Sequence, residues 1–232
     1  MKRNQSGFTL IEIAIVLVII GLLLGGVLKG QELINSAKVK NLAGDFKNIP
    51  VFIYGYQDKF KALPGDDKDV DAHLGATLCT PTCVATAGTH GNGVIEGNWN
   101  DKLAADSEAF RFWQHVRLAG LAPGPTAIND LGYIPQNAAG SDIGIQAGTA
   151  PASATAPVKD VNGNAIRGSY VICSSGILGK FAKQLDTMMD DGNTETGSML
   201  VTPNYTTAPA SPAAKATAQI VDSDTYVVCM GV

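Results

Sequence analysis

Gly7-Phe8-Thr9-Leu10-Ile11-Glu12, continued by IAIVLVIIGLLLGGVL at residues 13–28, decides the architecture of this 232-residue chain. From Ile13 to Leu28 no side chain is charged or strongly polar, and counted from Phe8 the run is 21 residues long. At about 1.5 Å per residue, a helix of that length crosses a hydrocarbon core of about 30 Å. A secretory signal peptide would also begin with positive charge, here Lys2 and Arg3, but its small-residue cleavage site follows the apolar segment. Gly25-Gly26 imitates such a site. Against that reading, the small residue and the polar-to-apolar switch stand before the run, at Ser6-Gly7-Phe8. Glu12 is the anomaly: a carboxylate in a spanning helix costs on the order of 2–3 kcal/mol at the bilayer centre and less near an end. It either snorkels toward headgroups or meets a cation.

Outward from this segment the helical signal continues. Leu42, Phe46, Ile49, Ile53, Tyr56 and Phe60 recur at alternating spacings of four and three, which places them on one helix face. One helix is expected over residues 8–61, its first half facing lipid or a partner and its second half lying under a sheet. Gly44 and Pro50 weaken it, so a bend or melted section is expected between them. Leu63-Pro64-Gly65-Asp66-Asp67 ends the helix in a Pro-Gly turn. A loop-rich stretch follows to about Asn100, then a second helix from Asp106 to Leu121 capped by Asp106 or Ser107. Residues 120–157, rich in Gly, Ala, Pro and Thr, are expected to be irregular. Ser169–Cys173, Ser198–Thr202 and Thr225–Met230 have strand-like composition. Between the first two, Ile177, Leu178, Phe181, Leu185 and Met188 fit a third helix. The fold class is thus α+β, with a small antiparallel sheet on a long N-terminal helix.

Lys2-Arg3-Asn4-Gln5-Ser6-Gly7-Phe8-Thr9-Leu10-Ile11-Glu12 before an unbroken apolar helix resembles the class III signal of type IV pilins and type II secretion pseudopilins. The resemblance implies a leader at residues 1–7, cut by prepilin peptidase between Gly7 and Phe8, and N-methylation of Phe8. It implies a transmembrane segment at 8–28, a cytoplasmic N-terminus and a periplasmic or extracellular pilin-like head over 62–232. Positive charge alone leaves orientation ambiguous, because Lys29, Lys38 and Lys40 follow the span. Glu12 would meet the N-terminal amine of a neighbouring subunit and set filament register. The function implied is a structural subunit of a type IV pilus, major or minor. The alternatives are a type II secretion pseudopilin and a filament-presented adhesin or tip-binding module. Implied partners are a homo-oligomeric filament, other pilins or pseudopilins, an inner-membrane assembly platform, and membrane lipid before assembly.

On the oxidising side of a membrane, four cysteines permit three pairings. Cys79 with Cys83 closes a small loop. Cys173 with Cys229 then resembles the disulfide-bounded C-terminal loop of many pilins. Asp190, Asp191, Asn193 and Glu195 put hard oxygens around Gly192, the ingredients of a calcium loop without full EF-hand spacing, and some pseudopilins hold calcium near their C-terminal loop. A solvated turn is the competing reading. A formal charge of -4 provides no broad basic face, so no nucleic-acid partner is expected. The three histidines form no HExxH pair, and G-x-S-x-G and phosphate-loop motifs are missing, so no enzymatic role is expected.

Overall fold

The computed structural model describes residues 9–75, 78, 83–103, 105–148, 156–205 and 211–232. The chain forms two compact units, Met1–Lys38 and Val39–Val232. Helix α1, Leu10–Phe60, begins in the first and ends in the second, about 75 Å long at the standard rise. In the first unit every residue from Thr9 to Lys29 is exposed, and the most apolar stretch buries nothing.

In the second unit, α1 buries Leu42, Phe46, Ile49, Ile53 and Tyr56 of the stripe expected from its spacing, together with Val39 and Ala43, whereas Phe60 is half-buried. Residues 44–50 are helical, so the expected melted section is absent. Pro50 costs roughly 3 kcal/mol in a helix interior. Burying Leu42, Phe46, Ile49 and Ile53 is worth roughly 1.5–3 kcal/mol for each side chain and outweighs it.

The remaining elements are α2 (Val70–Leu74), α3 (Glu108–Leu118), β1 (Ile143–Ala147), β2 (Tyr170–Leu178), α4 (Gly179–Met189), β3 (Met199–Pro203) and β4 (Thr225–Gly231). The four strands form one antiparallel sheet in the order β1-β2-β4-β3. Alternation splits its two faces. Ile145, Ile172, Val201 and Val228 join the core built with α1, α3 and α4. Val171, Cys173, Leu200, Val227 and Cys229 join a second core with Trp99, Val158 and Ile166.

Two elements depart from expectation. Strand β1 lies inside the stretch expected to be irregular. Its Gly144 is required by close approach, since a Cβ there would sit 1.9 Å from the Trp99 carbonyl oxygen. Strand β2 runs on to Leu178, taking Ile177 and Leu178 from the expected helix. It passes a register shift between Ser174 and Ile177 at which Gly176 adopts φ 68°, a conformation that favours glycine.

Helix α3 starts where Ser107 accepts a hydrogen bond from the Phe110 amide at 3.3 Å, the second of the two expected caps. It is buried on all sides from Glu108 to Arg117 rather than on one face. Its polar side chains therefore need internal partners. Arg117 donates to the carbonyls of Pro123, Pro125 and Tyr133 at 3.1, 2.9 and 2.7 Å, which fixes the Gly- and Pro-rich segment beside the helix.

Candidate functional site

The start of α1 is built by two residues. The Thr9 amide and hydroxyl both donate to Glu12 Oε2, at 2.8 and 2.6 Å. The Glu12 amide donates back to Thr9 Oγ1 at 3.4 Å. This is a reciprocal cap that satisfies backbone donors the helix leaves open at its first turn. The Thr9-x-x-Glu12 spacing that signals such a cap is present in the sequence, but only the charge of Glu12 was singled out there. The carboxylate consequently has two roles available to it, capping its own helix and meeting a cation. Gly7 and Phe8 lie outside the described residues.

In the head, sequence reading missed a cluster built around the Leu63-Pro64-Gly65-Asp66-Asp67 turn. Asp66 accepts the amides of Gly91, Asn92 and Gly93, clamping the Asn-Gly loop. Asp67 accepts from the Tyr56 hydroxyl at 2.8 Å, and His73 Nδ1 lies 2.7 Å from the same oxygen. Glu108 accepts the Glu96 amide at 2.9 Å and has His90 Nδ1 2.7 Å from its other oxygen. The Gly65 amide donates to His115 Nδ1, so Nε2 carries the proton and donates to the Cys83 carbonyl, each at 2.9 Å. All three histidines thus gather around one turn, each against a partner distant in sequence or across the turn. No local motif announces that arrangement.

Burial pushes Glu108 up to about 7, with the Asp66 charge adding and His90 opposing. It pushes His115 down to about 4, partly offset by the Cys83 carbonyl. The two act with opposite sign on stability. Glu108, raised when folded, contributes below about 4.5 and loses that contribution as pH rises through about 7. His115, depressed when folded, contributes fully above about 6.5 and loses that contribution as pH falls through about 4. Comparing the full-length chain with His115→Gln isolates the second contribution. Their difference in unfolding free energy in detergent should narrow by roughly 3 kcal/mol between pH 6.5 and 4. A constant difference would show that His115 is not held neutral.

Cys173 and Cys229 form a disulfide between directly opposed residues of β2 and β4, with Cα atoms 4.1 Å apart. The bridge lies mid-strand on the second core face. Cys83 is disulfide-bonded and buried, and Cys79 lies outside the described residues.

Of the four residues expected to form an acidic loop, Asp190 and Asp191 come together, but the residue joining them is Asp186 of α4 rather than Glu195. Carboxylate oxygens of the three lie within 4.8 Å of one another. The Asn193 amide donates to Asp191 Oδ1 at 2.8 Å. Asp186 is fully buried, and neither of its oxygens has a hydrogen-bond partner among the described residues. Burial, then repulsion from Asp190 and Asp191, pushes it up to about 7; the nearby Gly192 amide offsets part of this without reaching hydrogen-bond geometry.

Residues 2–28 match the family model of the prokaryotic N-terminal methylation motif. This is the class III signal typical of type IV pilins and pseudopilins, and the chain carries it directly ahead of an exposed apolar helix and an α+β head. The motif supports a pilin- or pseudopilin-like substrate of prepilin peptidase, and such a signal implies processing by that enzyme and assembly with other pilins. Its apolar N-terminal helix fits a subunit anchored in the inner membrane before assembly. No curated protein and no solved structure matches the chain.

Proposed function

We propose that this chain is a structural subunit of a type IV pilus, polymerised through α1. The observation that carries the reading is the methylation motif at residues 2–28 running into a helix whose residues from Thr9 to Lys29 are all exposed. An exposed apolar helix surface of this length requires lipid or neighbouring subunits. Residues 1–7 are the leader, and prepilin peptidase cuts between Gly7 and Phe8 and methylates Phe8. Residues 8–28 cross the inner membrane with the N-terminus cytoplasmic, and residues 62–232 form the periplasmic head. In the filament Glu12 neutralises the N-terminal amine of an adjacent subunit. Cys79 pairs with Cys83, which non-reducing peptide mapping tests.

Imaging of sheared surface filaments should find this protein repeated along the shaft. Confinement to a periplasmic secretion complex, or a single copy at a tip, would defeat the proposal. Mass spectrometry of the processed subunit should find methyl-Phe8 at the N-terminus. A start after Gly25 or Gly26 would point instead to a secreted protein released by an ordinary signal peptidase.

A further inference from the structure

We propose that Asn162 is a site of spontaneous deamidation, and that the buried carboxylate of Asp66 withholds the same reaction from Asn92. The chain contains two Asn-Gly pairs, Asn92-Gly93 and Asn162-Gly163. In such a pair the glycine amide nitrogen gives up its proton to water and attacks the asparagine Cγ, with no Cβ to hinder its approach. The Cγ–Nδ2 bond breaks, ammonia leaves, and a cyclic imide remains. Water then opens the ring at either carbonyl, giving aspartate or isoaspartate. The reaction consumes only water and needs no enzyme, metal or oxidant.

The two pairs are matched in what the local chain sets. All four residues are exposed, and Gly93 and Gly163 share one left-handed conformation, at φ 83° and 81°. Their hydrogen bonds differ. The Gly93 amide, the attacking group, donates to buried Asp66 Oδ2 at 2.7 Å, and the Asn92 amide donates to Oδ1 at 3.2 Å. The Asn92 carboxamide is tied at both ends, accepting from the Val94 amide at 2.8 Å and donating to Glu96 Oε1 at 3.2 Å. Ring closure there must break a charge-assisted bond and free the side chain. At the second pair, the Gly163 amide donates to the neutral Asp160 carbonyl at 3.0 Å. Asn162 bonds through its main-chain amide, to Asp160 Oδ1 at 2.9 Å, and its carboxamide has no partner among the described residues. A bond to a charged acceptor is about twice as strong as a neutral one. The folded chain should therefore convert Asn162 about ten- to a hundredfold faster than Asn92.

The product changes one corner of the head. A new carboxylate stands beside Asp160, which already collects the Asn162 and Asn164 amides and the Asn164 side chain. Isoaspartate also adds a methylene to the main chain inside the turn that the Asp160 amide closes on the Asn164 carbonyl at 2.8 Å. That turn joins the paired residues Lys159 and Ala165, and its Val161 amide donates to the Glu195 carbonyl at 3.3 Å. The head thus carries a clock that advances with time in water, and Asp66 keeps it from running in the Asn-Gly loop as well. None of this depends on the filament reading.

The test incubates the full-length chain in detergent at mildly alkaline pH, beside the same chain in denaturant, and maps both by mass spectrometry with detection of isoaspartate. Trypsin releases Asn162 and Asn164 on one peptide, between Lys159 and Arg167, so Asn164 serves as an internal reference. In the folded chain Asn162 should convert while Asn92 and Asn164 persist. In denaturant Asn92 should convert at least as fast as Asn162, because its protection exists only in the fold. Asp66→Asn should bring the folded-state rate at Asn92 toward that at Asn162; where this variant does not fold, the wild-type comparison decides. The proposal is overturned if Asn162 stays intact in the folded chain while converting in denaturant, or if Asn92 converts as fast as Asn162 in the fold. It is equally overturned if Asn92 is as slow in denaturant as in the fold, or if a folded Asp66→Asn leaves its rate unchanged.

Discussion

Glu12→Gln is expected to abolish filaments while leaving processed, membrane-held subunit at the wild-type level. Glutamine keeps an acceptor at the third helical position, so the reciprocal bonding with Thr9 that starts α1 persists. Only the charge is lost. In a polymer the neighbour's N-terminal amine would then remain unpaired among apolar helices, where an uncompensated charge costs about 3–5 kcal/mol. Such a loss repeated at every subunit lowers the sheared filament fraction by at least two orders of magnitude. Insertion has no need of Glu12, because residues 13–28 supply the apolar span and removing a carboxylate from it makes insertion easier. Glu12→Leu should assemble no better and should also lose the cap. The comparison must be made without wild-type subunit, so that co-assembly cannot hide the defect. If the Gln variant assembles normally and the Leu variant does not, Glu12 serves by capping α1, and registration through charge is refuted.

Removing the Cys173–Cys229 disulfide should have the largest effect on the head itself. The bridge joins residues 56 apart in sequence, and closing a loop of that size in the unfolded chain is worth roughly 4 kcal/mol. Here the location raises the stakes. Strands β2 and β4 are the two central strands, and β1 and β3 each have a single neighbour in the sheet. Both sulfurs are also part of the second core, so truncation removes apolar packing as well. Cys173→Ala with Cys229→Ala should therefore lower the melting temperature of the full-length chain by about 10 °C. A drop below about 3 °C would show that the sheet registers without the bridge.

The signals legible along the chain are those carried by neighbours in sequence. Residues 7–28 state an apolar helix with a carboxylate near its start, because length, composition and order suffice for that. The stripe from Leu42 to Tyr56 states which face is buried, because helical period converts spacing into direction. The strands around Cys173, Met199 and Cys229 were recognisable from β-branched and apolar runs. These signals sufficed for the long helix with its exposed apolar start and for the α+β class.

Only the tertiary structure decided the rest, and in each case the reason is a partner far away in the chain. Strand β1 exists because β2 hydrogen-bonds to it and because Gly144 admits the Trp99 carbonyl; its five residues alone carry little strand propensity. Helix α3 buries Glu108, His115 and Arg117, which composition assigns to a surface, because Glu96, Gly65 and the 123–133 segment supply their hydrogen bonds. Asp186 lies four residues before Asp190, one helical turn, and reads in sequence as an ordinary polar position. The closure of α4 against the sheet removes its water and leaves the carboxylate facing two others. Periodicity tells which way a side chain points, whereas the cost of burying it depends on what the folded chain brings opposite.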